Sequence, residues 1–208
     1  MDAFVSPINM TSAYISRISK GDFPDEITEE YKGDFNEIRK SINLLISNLR
    51  GTVQMAEKIA EGDLTVRVNT LSDRDMLGKS LTRMVKTIKM IVGNISLLTN
   101  AALEGKLGTR GDSGRFGGEY ARIIRGVNKT LDAVVTPLRT TAMYVDRISK
   151  GNIPEPIGDE YRGDFNNIRV SLNTMIRNLI RFAEAAERVA RRHRATEQQR
   201  GPDFPRNI

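Results

Sequence analysis

The fold is decided by residues 11–50, which read TSAYISRISKGDFPDEITEEYKGDFNEIRKSINLLISNLR. Aligned without gaps on residues 141–180, this stretch matches at 22 of 40 positions. The identities include Gly21 with Gly151 and the run Gly33–Asn36 with Gly163–Asn166. Self-similarity of this strength predicts that one structural unit occurs at least twice in the chain.

Two fainter copies lie between these, and one acidic residue in each copy brings all four into register. The anchors are Asp34, Asp73, Glu119 and Asp164. Apolar residues recur four, eight and fifteen positions after each anchor, which predicts one apolar face of a helix that the acid opens. In order of distance from the anchor, these residues are Ile38, Leu77, Ile123 and Ile168, then Ile42, Leu81, Val127 and Leu172, then Leu49, Ile88, Val134 and Leu179.

A glycine precedes each anchor and predicts the end of an earlier helix. These connector glycines are Gly21, Gly62, Gly105 and Gly151. Glycine ends helices because it adopts a positive φ without strain. Apolar residues seven and three positions upstream predict the buried face of that helix: Tyr14, Met55, Leu98 and Tyr144, then Ile18, Ile59, Ala102 and Ile148. Pro7 and Pro137, each 14 residues before its glycine, fit a first turn.

The chain is therefore expected to be all-α, with tandem helix–connector–helix modules. We define module 1 as residues 1–50, module 2 as 51–92, module 3 as 93–136 and module 4 as 137–183, followed by a basic tail at 184–208. One pair of short helices exposes apolar stripes that it cannot bury alone. Two chains in a homodimer would bury them as stacked parallel four-helix coiled-coil bundles, giving a rod.

These residues resemble the HAMP family of signal-relay modules. Module 2 matches the sequence pattern of the family most closely, with Ala56-Glu57-Lys58-Ile59-Ala60-Glu61-Gly62-Asp63-Leu64. The later hydrophobic-Asn stretch of the family is matched by Ile42-Asn43, Val127-Asn128 and Leu172-Asn173. The Asp-Glu-x-Gly opening of the second helix survives in part, as Ser72-Asp73 in module 2 and Gly118-Glu119 in module 3.

The resemblance implies a relay that passes conformational change from a sensor input to a chemoreceptor or kinase output. In such a relay each dimeric bundle has two packings of similar energy. The implied partners are a second copy of the chain and the adjoining sensor and output modules of a longer protein. The resemblance also implies that the four anchor acids bias the packing, beyond favouring the N-terminal dipole of a helix.

Composition leaves few residues for an active site. The chain has no cysteine and one histidine, His193, so we expect no enzyme activity, cofactor, metal or small-molecule ligand. His193 lacks the neighbouring acid and Thr-Pro of a kinase phosphoacceptor, and a solvated basic tail is the favoured interpretation. No apolar run approaches the roughly 20 residues of a membrane helix, which predicts a cytoplasmic chain, although the parent protein could be membrane-anchored.

Two other functions are compatible with parts of the sequence. The net charge is +6, and the Arg-rich tail would suit a helical protein that binds nucleic acid, but the body lacks a basic face, so no nucleic-acid partner is expected. A static coiled-coil scaffold would instead show uninterrupted heptads, which the connectors break.

Overall fold

The computed structural model describes residues 2–199, and side-chain burial for residues 5–198. Within that range all the regular secondary structure is helical, with five α-helices, one short 3-10 turn and no strand. The helices are α1 (Asp2–Ser19), α2 (Asp34–Ala60), α3 (Met76–Leu103), α4 (Gly118–Ser149) and α5 (Asp164–Gln199). The predicted all-α class is confirmed.

Three of these helices pass through a module boundary without a break. The helix α2 contains the second helix of module 1 and the first helix of module 2. In the same way α3 joins modules 2 and 3, and α4 joins modules 3 and 4. The expectation that Pro7 and Pro137 lie in the first turn of a helix is wrong, because Pro7 lies inside α1 and Pro137 lies in the interior of α4. A proline there removes one backbone hydrogen bond, and the helix continues around it.

The chain forms two compact parts, Met1–Leu97 and Leu98–Ile208. In the first part, the core of module 1 consists of Ile27, Ile42 and Ile46, with Tyr14 and Ile18 packed against it. In the second part, Ile157, Leu172 and Ile176 are buried at the duplicated positions. Each of these cores therefore combines a connector isoleucine with the inner face of the second helix.

Candidate functional site

The connectors are the candidate functional site, because each one ties two helices of a module together. Each begins at a glycine with positive φ: 79° at Gly21, 88° at Gly62, 73° at Gly105 and 77° at Gly151. The same pair of backbone hydrogen bonds occurs at all four. In module 1, the Gly21 N–H donates to Ile18 O (2.9 Å) and the Asp22 N–H donates to Arg17 O (3.0 Å). This is the Schellman arrangement, which satisfies the last carbonyls of the preceding helix.

The middle of the connector is held by an asparagine on the second helix. In module 1, the Ile27 N–H donates to Asn43 Oδ1 (2.8 Å), and Asn43 Nδ2 donates to Ile27 O (3.0 Å). In module 4, Asn173 makes the same two bonds with the backbone of Ile157, at 2.7 Å and 3.1 Å. One amide thus satisfies both backbone groups of a residue whose side chain is buried, which a buried connector requires.

Module 3 keeps this asparagine clamp but changes the residue that it holds. Asn128 accepts from the Gly111 N–H and donates to Gly111 O, each at 2.8 Å. A Cβ on Gly111 would approach Ile124 Cγ2 to 2.8 Å, so a side chain cannot fit there without a shift. Ile124, which is fully buried, lies where a side chain on Gly111 would extend. At the clamped residue, therefore, modules 1 and 4 bury a connector isoleucine, whereas in module 3 an isoleucine of the second helix lies against the glycine.

Module 2 holds its connector by carboxylates at both ends. At the start, Asp63 Oδ1 accepts from the Thr65 N–H (2.8 Å) and from the Thr65 hydroxyl (2.6 Å). At the end, Asp75 Oδ2 accepts from the Leu71 N–H (2.9 Å), and Asp75 Oδ1 accepts from the Gly78 N–H (2.8 Å). Asp75 therefore caps α3 and closes the connector onto it.

Gly78 is required by this cap. A Cβ on Gly78 would meet Asp75 Oδ2 at 2.4 Å, closer than the carboxylate can tolerate in its present position. The glycine three residues after Asp75 thus leaves room for Oδ2, the carboxylate oxygen that accepts from the Leu71 N–H.

The hydrogen bonds to these carboxylates favour their charged forms. Donation from the Gly78 N–H, followed by that from the Leu71 N–H, lowers the pKa of Asp75. The pKa of Asp63 is lowered by its bonds from Thr65. In module 1, the pKa of Asp22 is lowered by its hydrogen bond and ion pair with Arg17, whose Nε lies 2.6 Å from Asp22 Oδ2.

The predicted anchor acids have different positions in the four modules. Asp34 and Asp164 are the first residues of α2 and α5, and Glu119 lies in the first turn of α4. Asp73 does not open α3. It lies in the turn before the helix, exposed, and Asp75 occupies the N-terminal position instead. The assignment of Asp73 as the acid that opens the second helix of module 2 is therefore corrected to Asp75.

The predicted bundle-core residues fall into buried and exposed groups within one chain. Ile42, Leu98 and Leu172 are buried. Partly buried are Tyr14, Ile18, Leu49, Met55, Ile59, Leu81, Ile88, Val127, Tyr144, Ile148 and Leu179. Exposed are Ile38, Leu77, Ile123, Val134 and Ile168. Because the predicted core belongs to a bundle of two chains, one chain alone leaves this prediction open.

Asn43, Asn128 and Asn173 were present in the sequence pattern, but their role as connector clamps was not predicted. Asp75 was missed although two signals point to it. It lies 13 residues after Gly62, the same spacing as Gly21 to Asp34 and Gly151 to Asp164. It also stands three residues before a glycine, as the family's Asp-Glu-x-Gly opening requires.

The part of the chain that the structure describes offers few other candidates for a functional site. Among residues 2–199, no group of three or more His, Cys, Asp or Glu side chains is placed to hold a metal ion. Over the same range, the helices are too short or too polar to cross a membrane. His193 lies on an exposed face of α5, with its Nδ1 3.7 Å from Glu197 Oε1.

Comparison with known proteins gives two matches. The family model described as HAMP domain matches residues 1–51 and 115–181, which together are more than half of the chain. A protein of Acetivibrio thermocellus named "Putative sensory transducer protein" is 27% identical over 89 residues. That alignment covers 43% of this chain and 16% of the relative. No solved structure matches the chain significantly.

Proposed function

The chain belongs to the HAMP domain family, and from that premise we propose that it relays conformational change between an input and an output module of a longer signal-transduction protein. The similarity to a protein named as a sensory transducer supports a chemoreceptor-like parent. Since the chain spans only 16% of that relative, the sensor and the output are assigned here only as adjoining modules. A HAMP domain is a signalling linker, so the proposal includes no catalytic step, and it places the chain in the cytoplasm.

The observation that carries this proposal is the continuity of helices across module boundaries. The second helix of module 1 and the first helix of module 2 form a single rigid element, α2. A rotation or axial shift of α2 in module 1 must therefore appear in module 2, because an α-helix transmits such motion along its hydrogen-bonded backbone. The helix α4 provides the same link between modules 3 and 4.

A second copy of the chain is part of the proposal. Leu77 is 51% exposed, Ile123 47% and Val134 41%, although each lies on the predicted apolar stripe. Large apolar side chains repeated along helices at this exposure favour association. A parallel homodimer would cover them as the facing positions of four-helix bundles.

The switching mechanism requires each bundle to have two packings of similar free energy. The connectors are suited to this, because the Asn43 clamp and the Schellman turn hold the connector by hydrogen bonds while the helices contact through side chains. A coupling of about 1–3 kcal/mol between neighbouring modules is sufficient for a useful population shift.

A substitution in module 1 tests the relay if its effect is measured as a change in the conformation of module 2. The chain has no cysteine, so a Ser80→Cys variant places a single spin label per chain on the exposed surface of module 2. The distance between the two labels of a dimer is then measured by pulsed electron paramagnetic resonance. We expect Asp34→Ala in module 1 to shift the populations of that distance distribution, whereas Lys32→Ala, in the exposed connector, leaves them unchanged.

Two results would contradict the proposal. An unchanged distribution in the Asp34→Ala variant would show that module 1 does not bias module 2. The absence of any dipolar signal at micromolar protein would show that the chains do not pair.

A further inference from the structure

Arg50 links the first half of the module 1 connector to the end of the second helix. Its Nη2 donates to the backbone carbonyl of Phe23 at 2.9 Å and to Asp25 Oδ1 at 2.7 Å. These two acceptors stand on either side of Pro24, which is buried. One guanidinium therefore holds the connector both by its backbone and by a side chain. We call this link the Arg50 strap.

The position of Arg50 agrees with the direction in which the connector runs. The Asn43 clamp holds Ile27, and Arg50 lies seven residues further along α2. At 1.5 Å per residue those seven residues cover about 10.5 Å. Phe23 lies four residues before Ile27, and an extended chain of that length covers about 13 Å. The connector thus runs antiparallel to α2, and two points of the helix, two turns apart, hold two points of the connector.

Arg50 is also the last residue of module 1, and α2 continues from it into module 2 without a break. We propose that Arg50 is a positioning residue that couples the connector of module 1 to this boundary. A shift of the connector then moves α2 at the point where it enters module 2. The proposal rests on the relay function and assigns to one side chain the contact through which the connector of module 1 acts on the next module.

Module 3 has a similar link with the two charges exchanged. Its arginine lies on the connector, where Arg110 Nη1 donates to the carbonyls of Leu107 and Thr109 at 2.8 and 2.6 Å. The acid lies on the helix, where Asp132 Oδ1 accepts from Arg110 Nε and Nη2 at 2.9 and 2.7 Å. Asp132 stands one turn after the clamp residue Asn128, on the helix α4 that continues into module 4. Recurrence of the link on a different pair of residues favours a function over a chance surface contact.

Module 4 lacks the donor for this strap, although it is a close copy of module 1. Ile180 stands at the position of Arg50, and its side chain has no N–H or O–H group. The carboxylate that Asp25 provides in module 1 is retained as Glu155. The amide clamp of Asn173 is retained as well. The chain therefore contains two closely similar modules, one with the strap and one without it.

The bond to the backbone should contribute more to the strap than the ion pair does. The Asp25 side chain is 96% exposed, and ion pairs at such exposure contribute little because water and salt screen them. The guanidinium of Arg50 is half-buried, and its bond to the Phe23 carbonyl is partly shielded from water. Added salt should therefore weaken the strap only in part, whereas loss of the guanidinium removes both contacts.

An exchange of the residues at positions 50 and 180 tests the strap. The chain has no cysteine, so Glu26→Cys and Pro156→Cys each place one nitroxide label at matching, exposed positions of the two connectors. We expect Arg50→Ile to shorten the rotational correlation time of the label at 26 roughly twofold, because the connector loses local contacts. Ile180→Arg should lengthen that of the label at 156. A label at 156 that keeps its mobility would overturn the assignment of the difference between the modules to this position.

Lys40→Val is the matched control, because it also replaces a cation of α2 by the residue that module 4 has there. Lys40 pairs with Glu37 of its own helix, so the label at 26 should keep its mobility. Asp25→Asn removes the ion pair and leaves the bond to the Phe23 carbonyl, and its effect should be smaller than that of Arg50→Ile. Equal label mobility in the Arg50→Ile and Lys40→Val chains would overturn the strap.

The coupling to module 2 is measured separately, with the label at Ser80. Arg50→Ile should shift the populations of the distances between the two labels of a dimer, whereas Lys40→Val should not. If Asp34→Ala shifts these distances and Arg50→Ile does not, the relay stands and the coupling through Arg50 is overturned. If neither substitution shifts them, both the relay and the coupling are overturned.

Discussion

Modules 1 and 2 fix their connectors by different chemistry. In module 1 a neutral amide, Asn43, holds the middle of the connector through both backbone groups of Ile27. In module 2, Thr82 occupies the position that follows the matching apolar residue, and its hydroxyl donates to Gly78 O of its own helix. There the charged carboxylates of Asp63 and Asp75 hold the two ends of the connector.

The difference shows that a connector between two helices can be held in two ways with different sensitivities. An amide clamp is insensitive to pH and holds a buried residue, so its removal leaves buried polar groups unsatisfied. A carboxylate clamp is titratable, and its members Asp63 and Asp75 are exposed and half-buried, respectively. Modules 1 and 2 can therefore respond differently to the same perturbation, which is useful in a relay.

Removing the amide clamp should have the largest effect. We expect Asn43→Ala to lower the free energy of unfolding by about 2 kcal/mol, because beside a buried side chain the Ile27 N–H loses its partner and the Ile27 C=O keeps only the 3.5 Å bond from Arg39 Nη1. Guanidinium denaturation followed by circular dichroism measures the loss. Thr82→Ala, at the matching position of module 2, should stay within about 0.5 kcal/mol of the unsubstituted chain. Equal losses would remove the distinction between the modules.

Gly78 leaves room for the Asp75 carboxylate, so its substitution should differ in effect from that of an ordinary helical glycine. Replacing a helical glycine by alanine ordinarily stabilises a helix by about 0.5–1 kcal/mol. Gly93→Ala, in open space on α3, should show that gain in thermal denaturation. Gly78→Ala should instead destabilise, because its Cβ would displace the Asp75 carboxylate. A gain at Gly78 equal to the gain at Gly93 would contradict the required cap.

A smaller effect should distinguish the two acids before α3. Asp75→Ala removes the acceptor for the Leu71 and Gly78 N–H groups, so it should lower the melting temperature measurably. Asp73 is exposed in the turn, and Asp73→Ala should leave the melting temperature nearly unchanged. The reverse order would restore Asp73 as the acid that opens the helix.

The smallest difference between the carboxylate clamp of module 2 and the amide clamp of module 1 should appear when the pH is lowered. The pKa of Asp75 is lowered in the folded chain, so its stabilisation is complete above the ordinary Asp value of 3.8 and is lost as pH falls through the lowered value. Amide exchange followed by NMR should show the Leu71 and Gly78 protection factors falling in that range, while Ile27 remains protected. Parallel losses at all three amides would indicate global unfolding instead of loss of the carboxylate clamp.

Much of the fold follows from repetition in the sequence. Four glycines at matching positions predicted four helix ends, and apolar spacing predicted the helices on both sides. Proline was misleading, because a residue that favours a first turn is also tolerated inside a long helix when neighbouring packing supports the helix. Pro137 is buried in α4, so tertiary packing outweighs its lost hydrogen bond.

The site was less predictable because it depends on local hydrogen bonds that apolar spacing does not report. In the run Ser72-Asp73-Arg74-Asp75, the spacing to Leu77 and Leu81 selects Asp73, whereas the backbone N–H of Gly78 selects Asp75. The role of Asn43 is similarly invisible, since its partner Ile27 lies 16 residues away in a connector without regular structure. Gly111 shows the same limit, because its need for glycine comes from contact with Ile124.

In the proposed relay, two copies of the chain pair so that their exposed apolar stripes cover one another. Sedimentation equilibrium of the full chain at micromolar concentration measures this pairing. We expect a mass twice that of the 23.3 kDa chain. A stable, helical monomer with the mass of one chain would contradict it.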